Sequence, residues 1–168
     1  MIRFVDPAAD RWTVAADGDA PAPFQLLTPT QWDAARNTRP AGLPTGIVLP
    51  NDHEVQALRD DLPRFALIVL QFPKWSDGRA YSQARLLRAR LRYAGEIRAV
   101  GQVLVDMMLP LVRTGFSSAF LRDDQDEQAA RRALSFFDGL LPARGGAQAA
   151  YYQGDVRDPR PLFLREAA

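Results

Sequence analysis

The 168-residue chain has no cysteine and a single histidine, His53. Without cysteine there is no disulfide, no thiol nucleophile, no cysteine-ligated iron–sulfur cluster and no cysteine-zinc site. One histidine excludes a multi-histidine metal site within a chain. His53 has the chemistry for a Ser-His-Asp triad, but no G-x-S-x-G elbow accompanies it. Its place in the first turn of an expected helix gives it no special role. Catalysis would rest on carboxylates, Lys74, arginines, tyrosines or a bound cofactor. Long apolar runs are missing too. The longest strand-like one, Phe65–Leu70, has six residues, against roughly 18 for a membrane span. The N-terminus lacks the basic-then-apolar pattern of a secretory signal, so a cytoplasmic protein with no membrane partner is expected. No G-x-G-x-x-G follows a strand, and there is no Walker A loop. Gly101 has no second glycine close behind it, which leaves a nicotinamide Rossmann site unsupported. The acidic cluster Asp123, Asp124, Asp126 and Glu127 has magnesium-binding composition, but its place at a helix start explains it as capping. No metal is assigned.

What is present is an ordinary globular composition, 47% hydrophobic and 24% charged, in a length that suits one domain. The net charge of +1 hides a gradient. Residues 1–63 carry 5 basic and 9 acidic side chains, residues 64–113 carry 9 and 3, and residues 114–168 carry 7 and 8. A basic middle in a near-neutral protein points to a local anion site, not a nucleic-acid footprint.

The pattern along the chain predicts three parts. Residues 1–45 form an N-terminal extension, with strands at Ile2–Val5 and Trp12–Ala15 paired as a β-hairpin. A helix follows over Pro29–Arg36, opened by the capping box of Thr28 and Gln31. Residues 46–141 form a core of about four βα units. Its strands are Gly46–Leu49, Phe65–Phe72, Glu96–Val100 and Phe116–Leu121. Its helices are His53–Asp61, Arg79–Tyr93, Gln102–Arg113 and one from Asp124 to about Asp138. Residues 142–168 form a tail, with Tyr151-Tyr152 and Leu162–Leu164 packed back on the core. Continuous apolar strands alternating with helices imply an α/β fold with a mostly parallel sheet. Four units are half of a closed barrel. The sheet is therefore either open or curved like a half-barrel, which a second copy in a homodimer could complete.

In such sheets ligands bind outside the carboxyl ends of the strands. The four ends here are Pro50–Asp52, Pro73–Arg79, Gly101-Gln102 and Arg122–Asp124. The second is the richest: Lys74, Asp77 and Arg79 surround a helix start that favours an anion, with Tyr81 and Ser82 one turn further in. Sulfite, sulfate, phosphate or a carboxylate fits this chemistry. The bland alternative is that Asp77 caps its helix, Lys74 and Arg79 are solvated, and Tyr81 is core. Arg85, Arg88, Arg90 and Arg92 read as a solvated basic face. Arg98 alternates inside an apolar strand and needs a buried partner such as Asp106, Glu96 or a ligand. Pro110, inside the third helix, should remove a hydrogen bond and bend it.

The run from Phe72 to Phe120, FPKWSDGRAYSQARLLRARLRYAGEIRAVG and onward, resembles the signature of domain of unknown function family 934. The similarity extends more loosely from Gly46 to Gln128. Matching positions are Phe72, Pro73, Lys74, Asp77, Gly78, Arg79, Tyr81, Ser82, Arg85, Arg98, Gly101 and Asp106. Departures are Ala80 for the usual glycine, Gln102 for aspartate and Thr114 for cysteine. The last argues against thiol chemistry as an essential family mechanism. The family's bacterial members are usually encoded beside assimilatory sulfite reductase. The resemblance thus implies an accessory protein of sulfur assimilation that binds sulfite, sulfate or a sulfonucleotide. It leaves two alternatives: an oxidoreductase using flavin or nicotinamide, or a scaffold docking on sulfite reductase. On this reading Gly78, Gly101, Arg85 and Asp106 support a site made by Lys74, Asp77, Arg79, Tyr81, Ser82 and Arg98.

Overall fold

An apolar run with aromatic ends and a β-branched centre, Phe65–Phe72, forms β5, the longest strand of a seven-stranded sheet. The computed structural model describes residues 2–135; the expected tail at 142–168 and the last part of the helix running to Asp138 lie outside them. The other strands are β1 (Arg3–Phe4), β2 (Thr13–Val14), β3 (Gln25–Leu27), β4 (Thr45–Leu49), β6 (Glu96–Gly101) and β7 (Ser118–Ala119). All six pairings are parallel, in the order β1-β7-β6-β5-β4-β3-β2. The α/β class and the parallel sheet are as the sequence predicts. The count of about four βα units is not, because β1 and β2 join this sheet at its edges instead of pairing with each other, and three-residue β3 leaves no period-2 pattern to read.

The expected N-terminal hairpin does not form. Its two strands lie at opposite edges of the sheet: Arg3 N–H donates to Ser117 O, and Thr13 N–H donates to Phe24 O. Between them Asp6 accepts from Ala8 N–H and starts a single 3₁₀ turn, Pro7–Ala9, which turns the chain away from a hairpin path. Consecutive strands at opposite edges require the sheet to curl towards itself, and it takes a half-barrel form.

Its two faces divide by strand alternation. On the helix-covered face Ile47, Leu49, Ile68, Leu70, Phe72, Ile97 and Ala99 are all completely buried. They pack against Trp32, Ala80, Ala84, Leu87, Met108 and Leu111. Burial of this area is the main stabilising term, about 1.5–3 kcal/mol for each large aliphatic or aromatic side chain. The other, concave face holds a smaller cluster, Leu26, Leu67 and Val69 with Trp12, Val48 and Val100. Trp12 lies over Gly46: a Cβ there would come within 3.0 Å of its ring and 2.6 Å of Leu26 Cδ2.

Helix α1 (Pro29–Ala35) has the full Thr28–Gln31 capping box. The helix expected over 53–61 reduces to a 3₁₀ turn, Val55–Leu58. Asn51, just before that turn, donates its amide to Asp77. Helix α2 (Arg79–Arg85) widens into a π-helical stretch, Leu86–Arg90, where Leu91 N–H donates to Leu86 O. Arg88, in the middle of that stretch, is not solvated: its half-buried guanidinium donates to the carbonyls of Tyr93, Gly95 and Gly115. Left-handed Arg92 (φ 56°) then turns the chain into β6. Helix α3 (Met108–Thr114) begins later than expected, which places Pro110 in its first turn, where no hydrogen bond is lost. Helix α4 (Glu127–Ser135) is opened by Asp126, whose carboxylate accepts from Gln128 and Ala129 N–H. Among the described residues no helix is long and apolar enough to cross a membrane.

Candidate functional site

Because β4, β5, β6 and β7 run parallel, their four carboxyl ends share one rim. Hydrogen bonds tie neighbouring ends together. Asn51, after β4, donates to Asp77 Oδ2 at 2.7 Å. Gln102 N–H, after β6, donates to Phe72 O at 2.8 Å. Arg122, after β7, donates from Nη1 to Gln102 Oε1 at 2.8 Å. Gly101 makes the middle link possible: it sits at φ 95°, and a Cβ would lie 2.5 Å from Phe72 O.

The β5–α2 turn carries the residues that the sequence singles out. Asp77 N–H closes the turn on Lys74 O at 3.0 Å. Gly78 precedes the helix, and Asp77 Oδ1 accepts from Arg79 N–H at 3.2 Å, so Asp77 helps to satisfy the helix start without being its cap residue. The same carboxylate holds the Arg79 guanidinium, with Nη2 to Oδ2 at 2.7 Å. The Arg79 hydrogen bonds, with Asn51 as a further donor, hold the Asp77 carboxyl at about 2, so the pair stays ionised at any physiological pH. Lys74, the only lysine, is exposed and has no acidic partner among the described residues. Ser82 is exposed one turn into α2.

Behind the turn, Tyr81 is half-buried, its ring 5.0 Å from that of Phe72 and 6.4 Å from that of Phe116. Burial pushes its phenol up to about 12, so its hydroxyl stays a donor. The described residues supply that hydroxyl with no partner. Gln83 pins the loop after β4 from below, donating to Pro50 O and His53 O. Trp75 stands 61% exposed on the crest of the turn.

Arg98 is not part of this rim. Three residues before Gly101, it lies on the concave face, where it is 1% exposed. Its partners are Glu96 (2.9 Å) and Asp10 (2.6 Å). Asp106, expected to support it, is exposed in a 3₁₀ turn beyond the strand. Glu96 Oε1 also accepts from Ser118 Oγ (2.5 Å) and Arg3 Nη2 (2.8 Å). Burial alone would raise the Glu96 carboxyl, but the Ser118 hydroxyl, Arg98 and Arg3 together outweigh it and hold it below the ordinary range. Arg85 is exposed at the end of α2, away from the turn.

The rim thus gathers Lys74, Asp77, Gly78, Arg79, Tyr81, Ser82 and Gly101. It leaves Arg98, Asp106 and Arg85 elsewhere. Sequence reasoning missed the Asn51–Asp77 and Arg122–Gln102 links, which join residues 26 and 20 positions apart. It missed Asp10 as the Arg98 partner for the same reason, at a separation of 88. An aromatic at the end of a strong strand was the available signal for Trp75. Three of the four acidic residues after β7 are spent internally: Asp124 pairs with Arg122, whose hydrogen bonds hold its carboxyl at about 2, Asp126 caps α4 and Glu127 pairs with Arg131. Among the described residues no group of three histidine or carboxylate side chains could hold a metal ion.

The family described as Bacterial protein of unknown function (DUF934) matches residues 46–163. The match includes every rim residue named above and excludes β1, β2 and Asp10. No curated protein matches the chain.

Proposed function

The chain belongs to this family, and on that premise we propose that it is a cytoplasmic accessory protein of assimilatory sulfite reduction that binds a small anion at the strand-end rim. The observation that carries the reading is Lys74. It is an exposed, uncompensated cation at the carboxyl end of the longest strand. Arg79 and Asp77 neutralise each other beside it, and Asp77 already occupies the first amide of α2. The ion pair is therefore a fixed wall. Charge recognition falls to Lys74, with the Ser82 and Tyr81 hydroxyls as neutral donors. Sulfite, sulfate or the charged group of a sulfonucleotide suits one cation and two hydroxyls.

Isothermal titration with sulfite and with sulfate tests this. A charge-assisted hydrogen bond contributes about 1.5–3 kcal/mol, so Lys74→Gln should weaken binding roughly tenfold or more. Because Lys74 is exposed, Tm should not move. Equal affinity in Lys74→Gln, or no saturable binding by the wild type, removes the reading.

Trp75 favours a second reading, docking on sulfite reductase. A largely exposed tryptophan is a common anchor of protein interfaces, and this one stands on the same turn. Co-purification of the two proteins, lost on Trp75→Ala, is the expected result; no co-purification with the wild type rejects it.

A further inference from the structure

The curled sheet leaves a cleft between β1, the segment crossing to β2 and the start of β6, lined by none of the rim-turn residues. Its volume is about 280 Å³, and its charged and aromatic lining is Arg3, Asp10, Arg11, Trp12, Glu96 and Arg98. All three nitrogens of Arg98 bond within the protein, Nε and Nη2 to Glu96 and Nη1 to Asp10. At 1% exposure it organises the cleft from behind and presents almost no surface to a ligand. The groups around it are used unevenly. Glu96 Oε1 accepts from Arg3, Arg98 and Ser118, while Oε2 takes no partner from the described residues. Asp10 Oδ1 has only a 3.4 Å contact from Trp12 N–H. Arg11 is exposed, its guanidinium resting 4.2 Å over the Phe24 ring with no acidic partner among the described residues. Trp12 Nε1 donates to none of them.

We propose that this cleft binds a small zwitterion carrying a protonated amine and a carboxylate, the class to which free α-amino acids belong. The spare carboxylate oxygens of Glu96 and Asp10 accept from the ammonium group. Arg11, with the outer nitrogen of Arg3, donates to the carboxylate. The Trp12 ring supplies an apolar wall and an N–H. A simple anion meets the two carboxylates, and a simple cation meets the arginines, so each is opposed by half of the site. Only a molecule with both charges satisfies both halves. The size is consistent: the cleft is at the small end of ligand pockets.

Titration calorimetry on the full chain with glycine and with L-serine tests the proposal. Acetate, methylammonium and trimethylglycine serve as probes that lack one charge or the N–H donors. The expected result is saturable binding of glycine or L-serine, with each of the three others at least about tenfold weaker. Arg11→Ala, at an exposed position outside the ion network, should lower Tm only slightly, through the lost stacking on Phe24, and weaken binding about tenfold. Glu96→Gln should weaken it further, and if that variant fails to fold, Arg11→Ala decides alone. No saturable heat from either zwitterion up to about 50 mM overturns the proposal. So does acetate binding as tightly as glycine, or an Arg11→Ala variant that binds glycine like the wild type.

Discussion

Arg98→Ala is expected to destabilise the protein by about 3–5 kcal/mol, because it leaves buried charge without its partner. Arg98 is 1% exposed, while Asp10 and Glu96 have side chains 11% and 25% exposed. Removing the guanidinium leaves Asp10 without its cation and Glu96 with only Arg3 and Ser118, and it unties the segment before β2 from β6. The Arg3–Glu96 pair offers a contrast, since Arg3 is 57% exposed at its side chain. Exposed pairs are worth about 0–1 kcal/mol, so Arg3→Ala should cost no more than that. Urea unfolding of the two variants measures both.

The pH dependence follows from the direction of the Glu96 shift. Its folded carboxyl is held below its ordinary 4.5. The stability it contributes is therefore fully present above that value and is lost as pH falls through the lower folded value. In Arg98→Ala the burial effect is no longer offset by that guanidinium, and the carboxyl moves up. The gap between wild type and variant should then be widest near neutral pH and should narrow once Glu96 is protonated. A pH-independent gap, or a loss under about 1 kcal/mol, would show that the network is not what closes this seam.

Phe72→Ala is the second large effect, again about 3–5 kcal/mol from lost burial and the cavity left behind. Phe72 is completely buried and its ring lies 5.0 Å from Tyr81 and 5.8 Å from Phe116. It is also the last residue of β5, immediately before the Lys74 turn, and its carbonyl receives Gln102 N–H. One side chain thus joins the core to the rim. In a chain of this size the Tm should fall by roughly 6–20 °C, and sulfite affinity should fall as well, although the Phe72 side chain makes no polar contact. Thermal unfolding combined with titration checks both. A destabilised variant that binds sulfite normally would mean that the turn holds its shape without the aromatic cluster.

What was legible in the sequence was local. The Thr28–Gln31 capping box and the apolar strands β4, β5 and β6 all follow from neighbouring residues. The parallel sheet and the shared rim followed from strand–helix alternation. Contacts across long separations were not legible. Strands of two residues have no period to read, so β1 and β2 looked like a hairpin when each finds its partner on a distant strand. Arg88 looked like part of a wet face because helical spacing assumes an α-helix. The π-helical stretch rotates it inward, onto three carbonyls. Arg98 plainly needed a partner, but nothing near it in sequence pointed to Asp10. For the site, the turn Lys74–Ser82 was legible as a cluster. What the sequence could not show is that Asp77 consumes Arg79, which makes Lys74 the cation that remains.

The most direct test of the rim as an anion site is a crystal of the full chain soaked in sulfite. The account predicts density against Lys74 Nζ, beside the first turn of α2 and within reach of the Ser82 hydroxyl. A rim open to solvent and empty of sulfite, or sulfite ordered only at some other place on the molecule, would contradict it.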